Sequence, residues 1–552
     1  MRRGEVVLRR VNHSELNLFL KFLKPYKGKI YLILMSQLVI IGCSISVPYI
    51  LGTIIHDLEI RHISVQSLIL SLILLAAIYF IWDALQIFVD INFERVNKGV
   101  ENDIRAFCYA NILNSPMAKF HKKSEGEIIT RVIKDTEKIE KTFSSVFQLF
   151  DAITNTVAII VMMIVVSHLL AFIMIALYIV IILIHRIMAK PLKELYTKYK
   201  HSEEMLLIDL RNQLTGFLTT KIFSLEDKSI ELLKKRNDEN LKRHVNIATR
   251  VSIVKNVNFF SSSIFRVLTV VIGGILYLYK LANIGQIFTL NTYAIQMTYE
   301  LRTIIEIDII LRDIKTSFTR IITFLNEFKM ADHGKGTVID RIESITFKDV
   351  SFEYEGKKLF NHLNFDFKKG TVVGIKGQNG SGKTTLTYLI CGFYKPKGIF
   401  VNGIPNQFIS ENEMMRHTSY VLQNVHLFPA TVLDNLTCFK EMATEKVYEV
   451  CQSIGLHEKI MKLPDGYMTM VDEKNMNLSG GEKQLMAVAR ALLKEADILI
   501  LDEINSALDP ETENELLKNI QTYFKNKIVF IISHREKIFN MCDQIIHLSP
   551  NG

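Results

Sequence analysis

The nine residues GQNGSGKTT, from Gly377 to Thr385, have the composition and spacing of a phosphate-binding loop. They match the pattern G-x-x-x-x-G-K-[ST], in which glycines let backbone N–H groups close around phosphates. In such a loop Lys383 reaches the outer phosphates, and the Thr384 hydroxyl is placed to ligate Mg²⁺. The loop residues that we predict to bind a nucleotide are Gly377, Asn379, Gly380, Ser381, Gly382, Lys383, Thr384 and Thr385.

A pair of acidic residues follows a short apolar run farther along the chain. The segment ILILDE, Ile498 to Glu503, is typical of a buried strand that ends in two carboxylates. Asp502 suits a contact with Mg²⁺, and Glu503 suits polarising an attacking water or accepting its proton. The alternative is that the two acids only cap a helix, but an apolar strand that ends in Asp-Glu after a phosphate loop has few structural reasons.

The segment LSGGEKQLMAVARALL, which starts at Leu478, is the most specific of the motifs. Ser479, Gly480 and Gly481 open a predicted helix that runs through Leu493. Its free N–H groups and positive dipole end can hold a second set of phosphates. Because Lys383 already serves the nucleotide of its own chain, this helix end makes best sense if it closes on the nucleotide of another copy.

These motifs lie in a stretch where short β-rich runs alternate with helical ones, from about residue 344 to residue 552. The phosphate loop falls between a predicted strand, 371–376, and a predicted helix, 383–391. This order predicts an α/β P-loop ATPase domain with parallel strands. The polar residues 328–343 are a predicted linker.

The part before residue 328 is far more apolar, and 49% of the whole chain is hydrophobic. Six apolar segments are each close to the ~20 residues that cross ~30 Å of hydrocarbon. We predict an all-α six-helix transmembrane domain over residues 1–327, with an N-terminal elbow helix and two long cytoplasmic helical extensions. The six predicted spans are 30–55, 67–89, 147–166, 169–188, 253–279 and 287–310.

The formal net charge of +9 is consistent with a nucleic-acid partner or with cytoplasmic loops. The position of the positive charge along the chain favours cytoplasmic loops over a nucleic-acid partner. The two long links between predicted spans are rich in Lys and Arg, and the short links hold almost none. This asymmetry predicts a multi-pass protein with both termini and the ATPase domain in the cytoplasm, and no nucleic-acid partner. The six cysteines form no C-x-x-C pair, so neither a zinc site nor a disulfide framework is indicated.

Polar residues within three predicted spans recur at helical spacing. Tyr79, Asp83, Gln86 and Asp90 share one face of the second span, and Arg266 and Glu300 lie on similar faces of the fifth and sixth. Charged groups at this depth are expensive unless they pair or line a hydrated cavity. Two interpretations stay open, a cavity lining or a structural pair between Asp83 or Asp90 and Arg266.

With these motifs the chain resembles an ABC transporter of the exporter type, a half-transporter with one six-span domain fused to one nucleotide-binding domain. LSGGEKQ is similar to the family signature, with Glu482 where Gln is frequent and Leu485 where Arg is frequent. The resemblance implies ATP and Mg²⁺ as cofactors, with Ser479, Gly480 and Gly481 contacting the nucleotide of a second chain. That chain is an identical copy or a different half-transporter.

The resemblance also assigns roles to single residues. Tyr354 resembles the aromatic that stacks on adenine, and Gln423 resembles the glutamine that senses Mg²⁺. His534 resembles the switch histidine that contacts the γ-phosphate, and acts with Glu503 and Gln423 in catalysis. Thr384, Gln423 and Asp502 are the implied Mg²⁺ contacts. Two loops that touch the dimer interface and the membrane domain are represented by Asp509 and Glu473.

The resemblance predicts ATP-driven export by a dimer in a bacterial plasma membrane, surrounded by lipids. The acidic residues of the spans suggest a cationic or amphipathic peptide or drug as the transported substrate, with lipid as the alternative. An ATP-gated membrane channel or sensor is a further possibility. A soluble ABC ATPase that acts on nucleic acid or ribosomes is opposed by the six spans. The absence of a preceding peptidase module argues against cleavage of leader peptides.

Overall fold

The protein is described by a computed structural model. The described residues are 21–60, 63–121, 123, 125–328, 337–354, 357–471, 478–504, 516 and 518–549. They divide into two compact units. The membrane unit comprises the described residues of 1–110 and 124–327, and the nucleotide unit comprises those of 111–123 and 328–552. The domain boundary at residue 327 and the linker at 328–343 stay predictions.

The membrane unit is built from long helices, as the sequence predicts. Five helical stretches in the described part of the chain are long and apolar enough to cross a membrane: Lys21–Glu59, Val65–Leu113, Gly126–Val166, His168–Met188 and Glu226–Leu278. A π-helical turn, Thr130–Asp135, precedes α5. The helices up to residue 327 are α1 (Lys27–Glu59), α2 (Val65–Leu113), α3 (Met117–Phe120), α4 (Glu125–Ile129), α5 (Thr136–Val166), α6 (His168–Ala189), α7 (Leu192–Thr215), α8 (Phe217–Ile222), α9 (Glu226–Leu278) and α10 (Ile284–Glu327).

Helices α2 and α9 contain 49 and 53 residues. Both are more than twice the ~20 residues that cross the hydrocarbon layer of a bilayer. Each therefore continues well beyond a membrane, which confirms the predicted long helical extensions. Helix α7 packs against α9 within this unit.

The sixth predicted span lies on α10, which packs against α1, α5 and α9 and is not among the five stretches above. Leu290, Tyr293 and Met297 are fully buried. The Tyr293 hydroxyl donates to the Ile45 carbonyl oxygen of α1 at 2.6 Å. A Cβ on Gly285 would lie 2.1 Å from the Gly52 carbonyl oxygen, so only glycine allows α1 and α10 to approach this closely.

The nucleotide unit contains two main sheets. A five-stranded sheet has the order β11-β3-β10-β9-β6, and all of its pairings are parallel. A four-stranded antiparallel sheet has the order β2-β1-β4-β5. The strands are β1 (Ser344–Tyr354), β2 (Lys357–Lys368), β3 (Val372–Gly377), β4 (Ile399–Val401), β5 (Ile404–Pro405), β6 (Thr418–Val421), β7 (Ala430–Thr431), β8 (Met470–Val471), β9 (Ile498–Asp502), β10 (Ile528–Ile532) and β11 (Gln544–Leu548).

Helices of the nucleotide unit cover the parallel sheet. They are α11 (Lys383–Ile390), α12 (Glu411–Arg416), α13 (Val432–Thr437), α14 (Thr444–Ser453), α15 (His457–Met461) and α16 (Gly480–Leu493). Strand β10 is entirely buried, as a central parallel strand must be when both faces of its sheet are covered. The predicted fold class, a helical membrane domain followed by an α/β P-loop ATPase domain, is confirmed.

Helix α3 belongs to the nucleotide unit although it follows directly after α2. The backbone N–H of Met117 donates to the Glu411 carboxylate, with a distance of 3.1 Å to Oε1. The His121 ring packs against the Tyr388 ring with centroids 5.1 Å apart. This hydrogen bond and this ring contact help to attach the short segment to the rest of the nucleotide unit.

Candidate nucleotide site

The predicted site residues lie at the carboxyl ends of four neighbouring strands. Strand β3 leads into the phosphate loop, β9 into Asp502 and Glu503, β10 into His534 and β6 into Gln423. The register pairs Ile532 with both Ile375 and Asp502, so these strand ends are at the same level. This edge of a parallel sheet is where α/β folds bind ligands.

The phosphate loop has the backbone that its glycines permit. Gly382 is the N-cap of α11 at a φ of +92°, and a Cβ there would lie 2.7 Å from Phe360. Lys383 Nζ donates to the Gly377 carbonyl oxygen at 2.7 Å, which folds its ammonium back over the loop. Ser381 is buried and its hydroxyl has no partner within the described residues, whereas Asn379 and Thr384 are exposed.

Asp502 is held by a hydroxyl network that sequence reasoning missed. The Tyr420 hydroxyl donates to Asp502 Oδ2 at 3.0 Å and lies 2.9 Å from the Thr387 hydroxyl of α11. Burial raises the pKa of Asp502, while the hydrogen bond from Tyr420 and the charge of Lys383 lower it. Side chains alternate between the two faces of β6, so the sequence predicts which residues share a face with Tyr420. Only the order of the strands shows that this face meets Asp502.

Glu503 brings the three predicted catalytic residues together. Its carboxylate accepts a hydrogen bond from Gln423 Nε2 at 2.5 Å and lies 3.1 Å from His534 Nε2. The backbone φ of Glu503 is +47°, a left-handed conformation that is costly for a non-glycine residue. Strain of this kind collects at functional sites.

The start of α16 is capped by its own side chains. The Ser479 hydroxyl accepts from the Glu482 N–H, and the Glu482 carboxylate accepts from the Ser479 N–H at 2.7 Å. In the described residues no partner occupies the N–H groups of Gly480 and Gly481. Gln484, which is buried, donates to the Glu503 carbonyl oxygen at 3.2 Å and so ties α16 to the acidic strand end.

Tyr354 lies at the end of β1, away from the carboxylates. Its ring meets the Tyr394 ring at 6.0 Å in an edge-on arrangement. The structure shows no contact between Tyr354 or Ser479 and the phosphate loop among the described residues. Asp509 and Glu473 lie outside the described residues. The roles assigned to all of these site residues stay predictions.

Of the two interpretations of the polar faces in the membrane unit, the pair between Asp83 or Asp90 and Arg266 is not seen in the described residues, and the cavity lining stays a prediction. Asp83 and Asp90 are exposed, and Gln86 donates to Asp90 at 2.8 Å. Arg266 donates to the Ser263 hydroxyl, and no ion pair joins it to an acid in the described part of the chain. Glu300 instead contacts Asn155 of α5, a helix whose polar residues were not among the candidates.

Two family models match this chain. Residues 30–301 match the ABC transporter transmembrane region, and residues 360–506 match the ABC transporter model. A Rickettsia bellii protein named as an export ATP-binding/permease protein is 30% identical over 505 residues, which are 89% of this chain and 84% of that protein. The chain belongs to the ABC transporters. As a half-transporter of the exporter type, it combines one membrane domain with one ATPase domain and couples ATP hydrolysis to transport.

Other ABC transporters resemble this one over different lengths. The ATP-dependent lipid A-core flippase of Desulfotalea psychrophila is 26% identical, with 95% of this chain and 92% of the flippase aligned. The α-hemolysin translocation protein HlyB of Escherichia coli is 35% identical, but over only 48% of this chain and 38% of HlyB. A solved bacterial Atm1-family ABC exporter with ATP bound has the same fold, with a TM-score of 0.80, 21% identity and coverage of 95% of this chain and 94% of that one.

Proposed function

We propose that this ABC transporter works as a dimer in which two ATP molecules are each enclosed between two chains. The observation that carries the hydrolytic part of the proposal is the meeting of Gln423 and His534 at the Glu503 carboxylate, at the strand edge that also bears the phosphate loop. In this arrangement Glu503 accepts a proton from the attacking water. His534 then contacts the γ-phosphate.

Mg²⁺ fits the oxygen donors at this edge. Hard divalent cations prefer carboxylate, hydroxyl and amide oxygens, and Asp502, Thr384 and Gln423 supply one of each. The Tyr420 hydrogen bond is to Oδ2 of Asp502, and Oδ1 has no hydrogen-bond partner among the described residues, so Oδ1 is available to the ion. When bound, the ion neutralises charge on the β- and γ-phosphates.

The second half of each site is proposed to come from α16 of a partner chain. The unoccupied N–H groups of Gly480 and Gly481 and the positive end of a 14-residue helix suit a phosphate. An identical partner is the simplest assignment, since the residues of both half-sites are present in this chain. ATP binding then draws the two chains together, and hydrolysis releases them.

We place this protein in a bacterial plasma membrane, with both termini and the ATPase domain in the cytoplasm. The support is the accumulation of Lys and Arg in the two long links between spans. No nucleic-acid partner is proposed, because the basic residues are explained by this orientation.

The proposed cargo is a cationic or amphipathic peptide or drug, exported from the cytoplasm. Its support is a pair of acids, Glu300 and Asp151, which lie on packed helices of the membrane unit, and neither has a basic partner in the described residues. Lipid translocation is the second candidate, favoured by the alignment of nearly the whole chain with a relative named as a lipid flippase.

The test uses the full chain in lipid nanodiscs and in inside-out vesicles. Glu503→Gln should lower ATP turnover by roughly a hundredfold or more, the contribution typical of a general base. Glu458→Gln, an exposed acid of the same unit, is the matched control and should leave turnover unchanged. ATP-dependent uptake of a cationic peptide supports the cargo, whereas unaltered turnover in Glu503→Gln rejects the catalytic assignment.

A further inference from the structure

A network of polar side chains joins three helices within the apolar part of the membrane unit. Gln37 Nε2 of α1 donates to Asp151 Oδ1 of α5 at 2.5 Å, and Asn155 Nδ2 of α5 donates to Glu300 Oε1 of α10 at 2.6 Å. The Ser44 hydroxyl of α1 lies 3.5 Å from Asn155 Oδ1. Gln37 and Ser44 lie on α1, and each meets a polar residue of α5.

A sixth residue completes this network. Gln296, one turn before Glu300 on α10, donates from Nε2 to the Ser44 carbonyl oxygen at 3.3 Å. We call the network the acid cluster; its members are Gln37, Ser44, Asp151, Asn155, Gln296 and Glu300.

The acid cluster has more hydrogen-bond acceptors than donors. The two NH₂ groups that face its carboxylates belong to Gln37 and Asn155, and each already donates to one carboxylate. Gln37 is 6% exposed, and its Oε1 is buried without a partner. Its amide group holds this oxygen beside the Asp151 contact. The Gln296 Oε1 is likewise buried and unpartnered. Buried acceptors without donors are costly, so the cluster lacks a donor.

The acid cluster also lacks positive charge. Asp151 and Glu300 lie on α5 and α10, which pack against each other, and each accepts a hydrogen bond from an amide of the cluster. No Lys, Arg or His forms an ion pair with either one among the side chains that the structure describes. Intramembrane acids are expensive unless a cation or water compensates them. Both shortages are met by one ligand that carries positive charge and only donates hydrogen bonds.

We propose that the acid cluster binds the protonated primary amine of the cargo. An –NH₃⁺ group has three donors and no acceptor. It can use the free oxygen of each carboxylate together with the Gln37 carbonyl oxygen. The half-buried carboxylates receive the amine, and buried Gln37 closes the inner side. This inference rests on the proposed export of a cationic cargo and names the chemical group that is recognised.

Three matched probes separate the features of the ligand. Decylammonium has charge and N–H donors, decyltrimethylammonium has charge alone, and decanol has neither. Binding to the full chain in lipid nanodiscs is measured by calorimetry, with empty nanodiscs subtracted. We expect decylammonium to bind most tightly. Asp151→Asn and Glu300→Gln should each weaken it by roughly tenfold to a hundredfold, as loss of a charged hydrogen-bond partner does.

Two further variants control the result. Asp83→Asn removes an exposed acid outside the cluster and should leave decylammonium binding unchanged. Gln37→Met removes the unpartnered oxygen without changing the charge and should also weaken binding, which keeps a readout if an acid variant folds poorly.

The outcomes distinguish this inference from the proposed function. Equal binding of decylammonium and decyltrimethylammonium, or displacement of decylammonium by sodium but not by choline at constant ionic strength, would overturn the amine site. Uptake of a cationic peptide that is unchanged in Asp151→Asn and Glu300→Gln would also overturn it and leave the exporter proposal intact. Amine binding that depends on the cluster without any uptake by the wild-type chain would support the site and contradict the cationic cargo.

Discussion

At the scale of single residues, the hydroxyl of Tyr420 is the most informative contact of the nucleotide site. It joins strand β6, which leads to Gln423, to Asp502 at the end of β9 and to Thr387 on α11. One side chain therefore connects the phosphate-loop helix with the proposed Mg²⁺ ligand. The Tyr420 hydroxyl lies within the framework of the site, and its hydrogen bond lowers the pKa of Asp502.

Tyr420→Phe removes this hydrogen bond and keeps the ring. Because the bond lowers the pKa of Asp502, its loss should raise that pKa and leave less of the carboxylate ionised at a given pH. We expect the Mg²⁺ concentration for half-maximal ATPase activity to rise several-fold, consistent with about 1 kcal/mol for one hydrogen bond. Activity should also be lost at a higher pH than in the wild type as pH is lowered.

Tyr523→Phe is the control, because the Tyr523 hydroxyl meets only Ser453, at 3.3 Å, among the described contacts. Its Mg²⁺ dependence and pH profile should match the wild type. A Tyr420→Phe protein with an unchanged Mg²⁺ requirement and an unchanged acid limb would show that the hydroxyl does not position Asp502.

At the scale of elements, the His121 ring against Tyr388 is one of the contacts that attach helix α3 to the nucleotide unit. Tyr388 also meets Tyr394 at 6.4 Å, and Tyr394 meets Tyr354 at 6.0 Å. A row of four rings therefore leads from α3 to the aromatic that we predict to stack on adenine. Burial lowers the pKa of His121, which favours the neutral form of this ring against its aromatic neighbour.

His121→Ala should weaken the attachment of α3, since an aromatic pair contributes about 1 kcal/mol. We expect cargo stimulation of ATPase activity to fall several-fold while basal activity in the absence of cargo stays unchanged. His201→Ala, an exposed histidine on α7, should alter neither quantity. Equal loss of basal and stimulated activity in His121→Ala would indicate a folding defect of the nucleotide unit instead.

At the scale of the whole molecule, the phosphate loop and the α16 end are halves of different sites if the dimer proposal holds. Mixing two defective chains tests this directly. Lys383→Ala and Ser479→Ala chains are co-expressed with different tags, each also carrying Glu503→Gln to slow hydrolysis. In a mixed dimer one composite site keeps both Lys383 and Ser479, whereas the other site loses both.

The measurement is ATP retained after rapid dilution. We expect retention by the mixed dimer and none by either variant alone. Lack of retention in the mixed dimer, together with normal retention in the Glu503→Gln dimer, would mean that each chain completes its own site. Retention by Ser479→Ala alone would make the signature serine dispensable.

Much of this protein could be predicted from the sequence because the signals are local. The phosphate loop is predicted from the spacing of Gly377, Gly382 and Lys383 within one short segment. Asp502 and Glu503 are predicted from their position after an apolar run. Long apolar segments predict helices because a bilayer leaves backbone groups no other partner. The capping box at Ser479 and Glu482 is local too, although the prediction had treated all N–H groups at this helix start as free.

Tertiary structure alone decided which distant residues meet. Asp83, Asp90 and Arg266 have a helical periodicity as clear as that of the acid cluster, yet they form no pair with one another, while Asp151 and Glu300 lie together on packed helices. Tyr420 likewise reaches Asp502 only through the strand order β9-β6. Periodicity fixes the angle between residues on one helix or strand. Which neighbour that face meets depends on how helices and strands pack, and packing energies are summed over the whole chain.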